Sequence, residues 1–115
     1  MPSRKNTGME AHRIPDAGSR RYQEFIRSPD LSVGVYRLDA GGIDPQQPHA
    51  EDEMYYVLAG RSRFTSGGRT VDIDAGLILF VPAGEVHRFH DIVEPLTLLV
   101  AFGPAEGSRH ADLTA

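Results

Sequence analysis

The chain has 115 residues, and 12 Lys and Arg against 16 Asp and Glu give a formal net charge of −4. This length suits a single domain, and 40% hydrophobic with 24% charged residues is typical of a soluble globular protein. The acidic balance disfavours nucleic-acid binding, and no apolar run approaches the ~18 residues of a membrane span. The chain has no cysteine, which excludes disulfides and thiolate metal sites. We expect a protein with neither nucleic-acid nor membrane partners, cytoplasmic by default.

The predicted elements are short strands separated by turns, since 12 glycines and 8 prolines interrupt the apolar runs. Residues 1–12 and 106–115 lack a strand pattern and are predicted to be flexible tails around one domain at 13–105. The only plausible helical turn covers residues 20–26, where a loop is the alternative. After it, strands are predicted at 31–38, 53–58, 61–65, 69–73, 77–81, 86–92 and 96–102. Strands at this spacing indicate an all-β sandwich or barrel.

Two segments carry residues typical of metal chemistry. His49 and Glu53 lie four residues apart where a loop meets a strand, and His87 follows a Pro-Ala-Gly turn into another strand. Glu53 and Tyr55 share one face of their strand, and inward side chains converge in a narrow barrel. A divalent metal needs neutral imidazoles and an anionic oxygen on a rigid backbone. We therefore treat His49, Glu53 and His87 as candidate ligands.

The spacing of these segments resembles the two motifs of the cupins. The first motif, G-x5-H-x-H-x3-E-x6-G, is matched from Gly41 through His49 and Glu53 to Gly60. The second, G-x5-P-x-G-x2-H-x3-N, is matched from Gly76 through His87. The resemblance covers about residues 31–102. It implies a cupin-type double-stranded β-helix, an RmlC-like jelly-roll barrel, with a metal inside its wider mouth.

Two positions depart from the motifs: Gln47 stands in place of the first histidine, and Asp91 stands in place of the terminal asparagine. Three roles are open for Gln47. It could ligate the metal through its oxygen, hydrogen-bond a metal-bound water, or contact a substrate in a metal-free pocket. The expected metal set is therefore Gln47, His49, Glu53 and His87.

Two histidines and one carboxylate with open positions favour non-haem iron(II), although Zn, Ni and Mn use similar ligands. The leading expectation is a metal-dependent dioxygenase acting on a small polar organic molecule. A metal-dependent isomerase or lyase, with Glu53 or Tyr55 moving a proton, is the nearest variant. A non-catalytic module that binds a small sugar or anion is the alternative from another class, so enzymatic activity stays open.

Other side chains are weaker candidates for the pocket. Tyr55 is a candidate catalytic residue with Glu53, while Gln47, Tyr36, Arg63 and Phe89 are candidate substrate contacts. The cupin resemblance also implies a homodimer. An N-terminal arm is expected to pair across its interface through Ile14, Tyr22, Phe25 and Ile26.

Overall fold

The computed structural model describes residues 8–16 and 21–108, and within these ranges the regular structure consists of six β-strands without a helix. Most of the two predicted tails, residues 1–7 and 109–115, lies outside the described residues. The strands are β1 (Tyr22–Ser28), β2 (Leu31–Leu38), β3 (Asp52–Ser66), β4 (Arg69–Ile73), β5 (Ile78–Val81) and β6 (His87–Gly103). The predicted all-β class is confirmed.

The strands form one antiparallel sheet with hydrogen-bonding order β1-β2-β6-β3-β4, and β5 pairs with the first half of β3. The strands β3 and β6 contain 15 and 17 residues and pair from Asp52↔Gly103 to Ser66↔His87. Each of them therefore spans two of the predicted short strands. Where the sequence predicted turns between these short strands, the structure has register shifts within continuous strands. This winding of two long strands with shorter partners is the jelly-roll arrangement that the motifs implied.

The prediction of a helical turn at residues 20–26 is wrong, because residues 22–28 form β1. This strand pairs with β2 from Tyr22↔Tyr36 to Ser28↔Leu31, and residues 29–30 make the connecting turn. The segment is too short to sustain a helix alone, and Phe25 and Ile26 belong to residue types that favour strands. Pairing with the adjacent strand decides its conformation.

The inward face of β3 changes parity at Gly60. Glu53, Tyr55 and Val57 are buried, as their alternation predicted, but beyond the bend the buried positions are the even-numbered Ser62 and Phe64. Gly60 has φ +104, and a Cβ there would lie 2.3 Å from the backbone oxygen of Pro95. Only glycine combines this backbone angle with so close an approach. The bend lets one strand line both ends of the core.

Asp91 performs the matching change of parity on β6. His87 and Phe89 are buried before it, whereas the buried residues after it begin at Ile92. Asp91 has φ 50, in the left-handed region that asparagine and aspartate tolerate better than most residues. This requirement gives a physical reason why aspartate can replace asparagine at the end of the second motif.

Candidate metal centre

Three different segments bring the candidate ligands together. His49 lies in the loop after β2, Glu53 is the second residue of β3, and His87 is the first residue of β6. One ligand atom from each lies within 4.8 Å of the others. Glu53 pairs with Val81 on one side and Phe102 on the other, so strands hold its backbone on both sides. Two of the three candidate ligands are therefore held on the sheet, and the third, His49, comes from the loop that precedes β3.

The carboxylate of Glu53 is buried, and neither of its oxygens has a hydrogen-bond donor. His87 donates from Nδ1 to the backbone oxygen of Glu85 at 2.9 Å, which leaves Nε2 of the neutral ring with only a lone pair. Nε2 lies 3.0 Å from Oε1 of Glu53. Two electron-rich atoms at this distance repel each other unless a proton or a cation lies between them. The residues therefore fit a divalent metal ion.

The pKa of His87 reflects the same competition for the Nε2 lone pair. Burial alone would lower the pKa of His87, but the contacts with the Glu53 carboxylate and the Glu85 carbonyl outweigh burial and raise it. A proton and a metal ion would therefore compete for the position between this nitrogen and the carboxylate, and metal binding should be coupled to pH.

A backbone hydrogen bond joins the two motifs directly. The amide of Gly84, in the turn before His87, donates to the backbone oxygen of His49 at 2.7 Å. The His49 ring packs against Phe102 with ring centroids 4.7 Å apart, and its Nδ1 lies 3.6 Å from Oε2 of Glu106. This last separation is longer than a hydrogen bond, but it places a second acidic group beside the ring. Burial raises the pKa of Glu106, and the nearby His49 partly opposes that rise.

A buried carboxylate, Asp44, organises the loop that leads to His49. Its oxygens accept hydrogen bonds from the Tyr36 hydroxyl at 2.6 Å, the Phe89 amide at 2.9 Å and Nε2 of Gln46 at 2.8 Å. The backbone amide of Gln46 donates as well, at 3.2 Å. Asp44 therefore ties the loop to β2 and β6. The hydrogen bond to Asp44 also raises the pKa of Tyr36, whose burial is the larger cause.

The orientation of Gln46 sets the hydrogen bond of Tyr55. Because a carboxylate only accepts, the amide nitrogen of Gln46 must face Asp44, and its oxygen then faces Tyr55. The Tyr55 hydroxyl donates to that oxygen at 3.0 Å and lies 3.1 Å from Nε2 of His87. Burial and the Glu53 carboxylate raise the pKa of Tyr55 well above its usual value, so the hydroxyl keeps its proton. Tyr55 consequently presents oxygen lone pairs toward His87.

A cavity of about 140 Å³ lies beside the candidate ligands. Tyr22 and Tyr36 line it from β1 and β2, Glu106 lines it from the chain after β6, and Val100 and Phe102 supply an apolar wall. A larger groove of about 420 Å³ contains Arg61, Arg63 and Asp72, but none of the candidate ligands. The small cavity is therefore the candidate binding site.

Several predicted contacts lie elsewhere. Gln47 is exposed and does not line the cavity, where Gln46 lies instead. Gln47 was assigned from its position in the first motif, and motif spacing does not fix which side chain of an irregular loop points inward. Arg63 lies ten residues beyond Glu53 on β3 and contacts Asp72 at 3.4 Å. Phe89 is fully buried and packs against Tyr55, with ring centroids 5.0 Å apart, rather than lining the cavity.

Sequence reasoning missed four residues of this region as site residues: Tyr22, Asp44, Gln46 and Glu106. Tyr22 and Glu106 were assigned to the N-terminal arm and the C-terminal tail. Glu106 belongs to a turn whose amide donates to Ser32 Oγ at 2.8 Å, so that part of the predicted tail is packed. Only the pairing of β1 with β2 could have revealed Tyr22, because it places Tyr22 opposite Tyr36.

The fold and the site together define a class: a small antiparallel jelly roll with a His-Glu-His cluster inside one end. Residues 34–102 match the family model described as Cupin domain, and the chain belongs to the cupin family. An RmlC-like cupin from Desulfovibrio desulfuricans superposes with a TM-score of 0.70 at 21% identity, covering 84% of this chain and 98% of that one. That likeness concerns the fold.

Two curated relatives were found at the sequence level. An uncharacterised protein of Streptomyces coelicolor is 46% identical over 98 residues, which cover 85% of this chain and 91% of the relative. An oxalate-binding protein of Thermotoga maritima is 29% identical over 73 residues, which cover 64% of this chain and 52% of that protein. The match to the second relative thus spans about half of its length. In the described part of the chain, no helix is long and apolar enough to cross a membrane.

Proposed function

We propose that this cupin is a metal-dependent enzyme of the dioxygenase type that acts on a small polar organic molecule. His49, Glu53 and His87 would hold one divalent metal, with iron(II) the first choice and zinc, nickel and manganese the alternatives. The observation that carries the proposal is the buried Glu53 carboxylate, which has no hydrogen-bond donor for either oxygen and has a ligand atom within 4.8 Å of one from each of His49 and His87.

The exposure of Gln47 favours a three-residue ligand set. Because Gln47 is exposed and outside the cavity, two histidines and one carboxylate remain at the centre. This set leaves open coordination positions and is the one used by non-haem iron(II) oxygenases. Bound iron would supply a Lewis-acidic and redox-active centre at the cavity wall.

The chain's own residues have separate roles in this proposal. Glu53 supplies the negative charge of the centre, and Val100 and Phe102 keep one side of the cavity apolar. Tyr55 holds its proton toward Gln46 and faces His87 with its oxygen. Tyr55 is thereby placed to accept a hydrogen bond at the centre. If the reaction is an isomerisation or elimination, Glu53 or Tyr55 is the candidate to move a proton, and Tyr55 would first have to release its hydrogen bond to Gln46.

The first experiment measures bound metal in protein purified without a histidine tag. Anaerobic iron loading followed by mass spectrometry should give about one metal per wild-type chain and almost none for His87→Ala. The matched control is His90→Ala, three residues along the same strand. His90 bonds to Thr65 and Asp91 rather than to the cluster, so this variant should keep the metal. A wild-type protein that takes up no metal would refute the proposal.

Oxygen consumption then tests the reaction class. The iron-loaded protein should consume dioxygen with at least one member of a panel of diketones, phenols and keto acids. Turnover without dioxygen would instead support the isomerase or lyase alternative. The match to an oxalate-binding protein makes a non-catalytic module the second candidate. Saturable binding of a small anion without any product would favour that module.

We also propose that the protein is a cytoplasmic homodimer. Ile78 and Phe80 on β5 are 62% and 67% exposed, and among the described strands β5 pairs with β3 alone. Tyr22, predicted for an intersubunit arm, lines the cavity of its own chain instead. Light scattering after size exclusion should give twice the monomer mass for the wild type and the monomer mass for Phe80→Glu. A monomeric wild type would refute the dimer.

A further inference from the structure

The hydroxyl of Tyr22 is buried without a hydrogen-bond partner, although Tyr22 lines the cavity beside Glu53. A buried tyrosine hydroxyl usually finds a partner, because leaving it unsatisfied costs about 1–3 kcal/mol. The hydroxyl protons of the other two tyrosines of this cavity already take part in hydrogen bonds. Tyr36 donates to Asp44, and Tyr55 donates to Gln46. Among the described cavity residues, Tyr22 is thus the tyrosine with a proton still to donate.

Gly34 makes the position of Tyr22 possible. A Cβ at residue 34 would lie 2.4 Å from both Cζ and the hydroxyl oxygen of Tyr22. Gly34 sits inside β2, where glycine weakens a strand and where its backbone angle is not in the left-handed region. The close approach of the phenol therefore explains this glycine, since any larger residue would displace the ring. A glycine that weakens β2 thus makes room for the Tyr22 hydroxyl inside the barrel.

The cavity also limits the charge and size of what Tyr22 can contact. Glu53 and Glu106 line it, and no lysine or arginine among residues 8–16 and 21–108 does. A divalent cation would be largely neutralised by these two acids, so a ligand with two negative charges would meet little net attraction. The volume of about 140 Å³ equals roughly five water molecules at ~30 Å³ each. A ligand of about five non-hydrogen atoms, neutral or singly charged, fits these limits.

From these observations we propose that Tyr22 donates a hydrogen bond to an oxygen of a two- or three-carbon hydroxy or oxo compound held at the metal centre. The inference rests on the proposed metal-dependent function and assigns the ligand class of that site. Tyr22 is a binding residue in this scheme, while Val100 and Phe102 contact the carbon side of the ligand.

The test uses protein loaded with cobalt(II), with glycolate and glycolamide as singly charged and neutral probes of five non-hydrogen atoms each. Calorimetric titration should show binding of at least one probe, and Tyr22→Phe should weaken it roughly 5- to 10-fold, the worth of one hydrogen bond. The metal content should not change. Because the substitution removes an unsatisfied buried hydroxyl, the melting temperature should stay the same or rise. A Tyr22→Phe variant that loses probe affinity but keeps its melting temperature would show that Tyr22 acts in binding and not in structure.

Two further variants sharpen the comparison. Tyr56→Phe makes the same chemical change on a tyrosine of β3 that lies outside the cavity lining, and its probe affinity should equal that of the wild type. Gly34→Ala should displace the Tyr22 ring and lower probe affinity at least as much as Tyr22→Phe.

The outcomes separate this inference from the metal centre itself. If metal binds normally and Tyr22→Phe keeps its probe affinity, the role of Tyr22 is refuted and the metal centre stands. If the loaded wild type binds neither probe, the ligand class is refuted. If the wild type takes up no metal, both proposals fail together.

Discussion

Replacing Asp44 should destabilise the protein more than its single carboxyl group suggests. The substitution Asp44→Ala removes the acceptor of four hydrogen bonds, of 2.6, 2.8, 2.9 and 3.2 Å. Asp44 is only 4% exposed, so water cannot readily replace the acceptor. The buried Tyr36 hydroxyl and Phe89 amide would lose their partner at about 1–3 kcal/mol each. We expect a loss of about 3–5 kcal/mol in the free energy of unfolding.

Urea denaturation of the metal-free protein measures this loss, with an unchanged m-value as the check that unfolding stays two-state. The conservative Asp44→Asn keeps one acceptor oxygen and should lose about half as much. Asp72→Ala is the control. Its carboxylate is 89% exposed and contacts Arg63 at 3.4 Å, so we expect less than ~0.5 kcal/mol. A loss below ~1 kcal/mol for Asp44→Ala would refute the view that this carboxylate organises the loop.

Three further predictions concern the backbone and the metal. Gly60→Ala should lower the free energy of unfolding by about 3 kcal/mol or more, because its Cβ would meet the Pro95 oxygen at 2.3 Å. Gly68→Ala, with φ +80 and open space around it, should lower it by only about 1 kcal/mol. Equal losses in urea denaturation would contradict the argument from close approach. Asp91→Gly should raise the free energy of unfolding by up to ~1 kcal/mol because it relieves φ 50, and a clear loss would show that the bond to His90 outweighs the strain. Metal at 100 times its dissociation constant should stabilise the wild type by about 2.7 kcal/mol in calorimetry and leave the stability of His87→Ala unchanged. Equal stabilisation of both proteins would mean that the metal binds elsewhere.

The three candidate ligands could be predicted to lie together because each belongs to a sequence pattern that the folded chain preserves. Alternation on β3 correctly placed Glu53, Tyr55 and Val57 on the buried face. The spacing of the two motifs brought His49 and His87 to one end of the barrel, and the structure places them with Glu53 in one cluster. Period-2 alternation works here because neighbouring strands hold β3 on both sides.

The remainder of the site depends on contacts that no local pattern encodes. Gln46 and Gln47 are chemically identical neighbours, and only the donors and acceptors around Asp44 decide which amide points inward. Glu106 reaches the cavity because its turn is anchored to Ser32, which is 74 residues earlier in the chain. Tyr22 enters through the pairing of a short strand with its neighbour, which overrides a weak local preference.

The hydrogen bond from Gly84 to His49 has a practical consequence for experiments on this protein. The chain contains no tryptophan, so intrinsic tryptophan fluorescence cannot report on its site. The Gly84 amide proton, held at 2.7 Å by the backbone oxygen of His49, supplies a natural reporter. Its exchange with deuterium requires this hydrogen bond to open. The exchange rate of this single proton therefore measures how often the contact between the two motifs is broken, without any label or added residue.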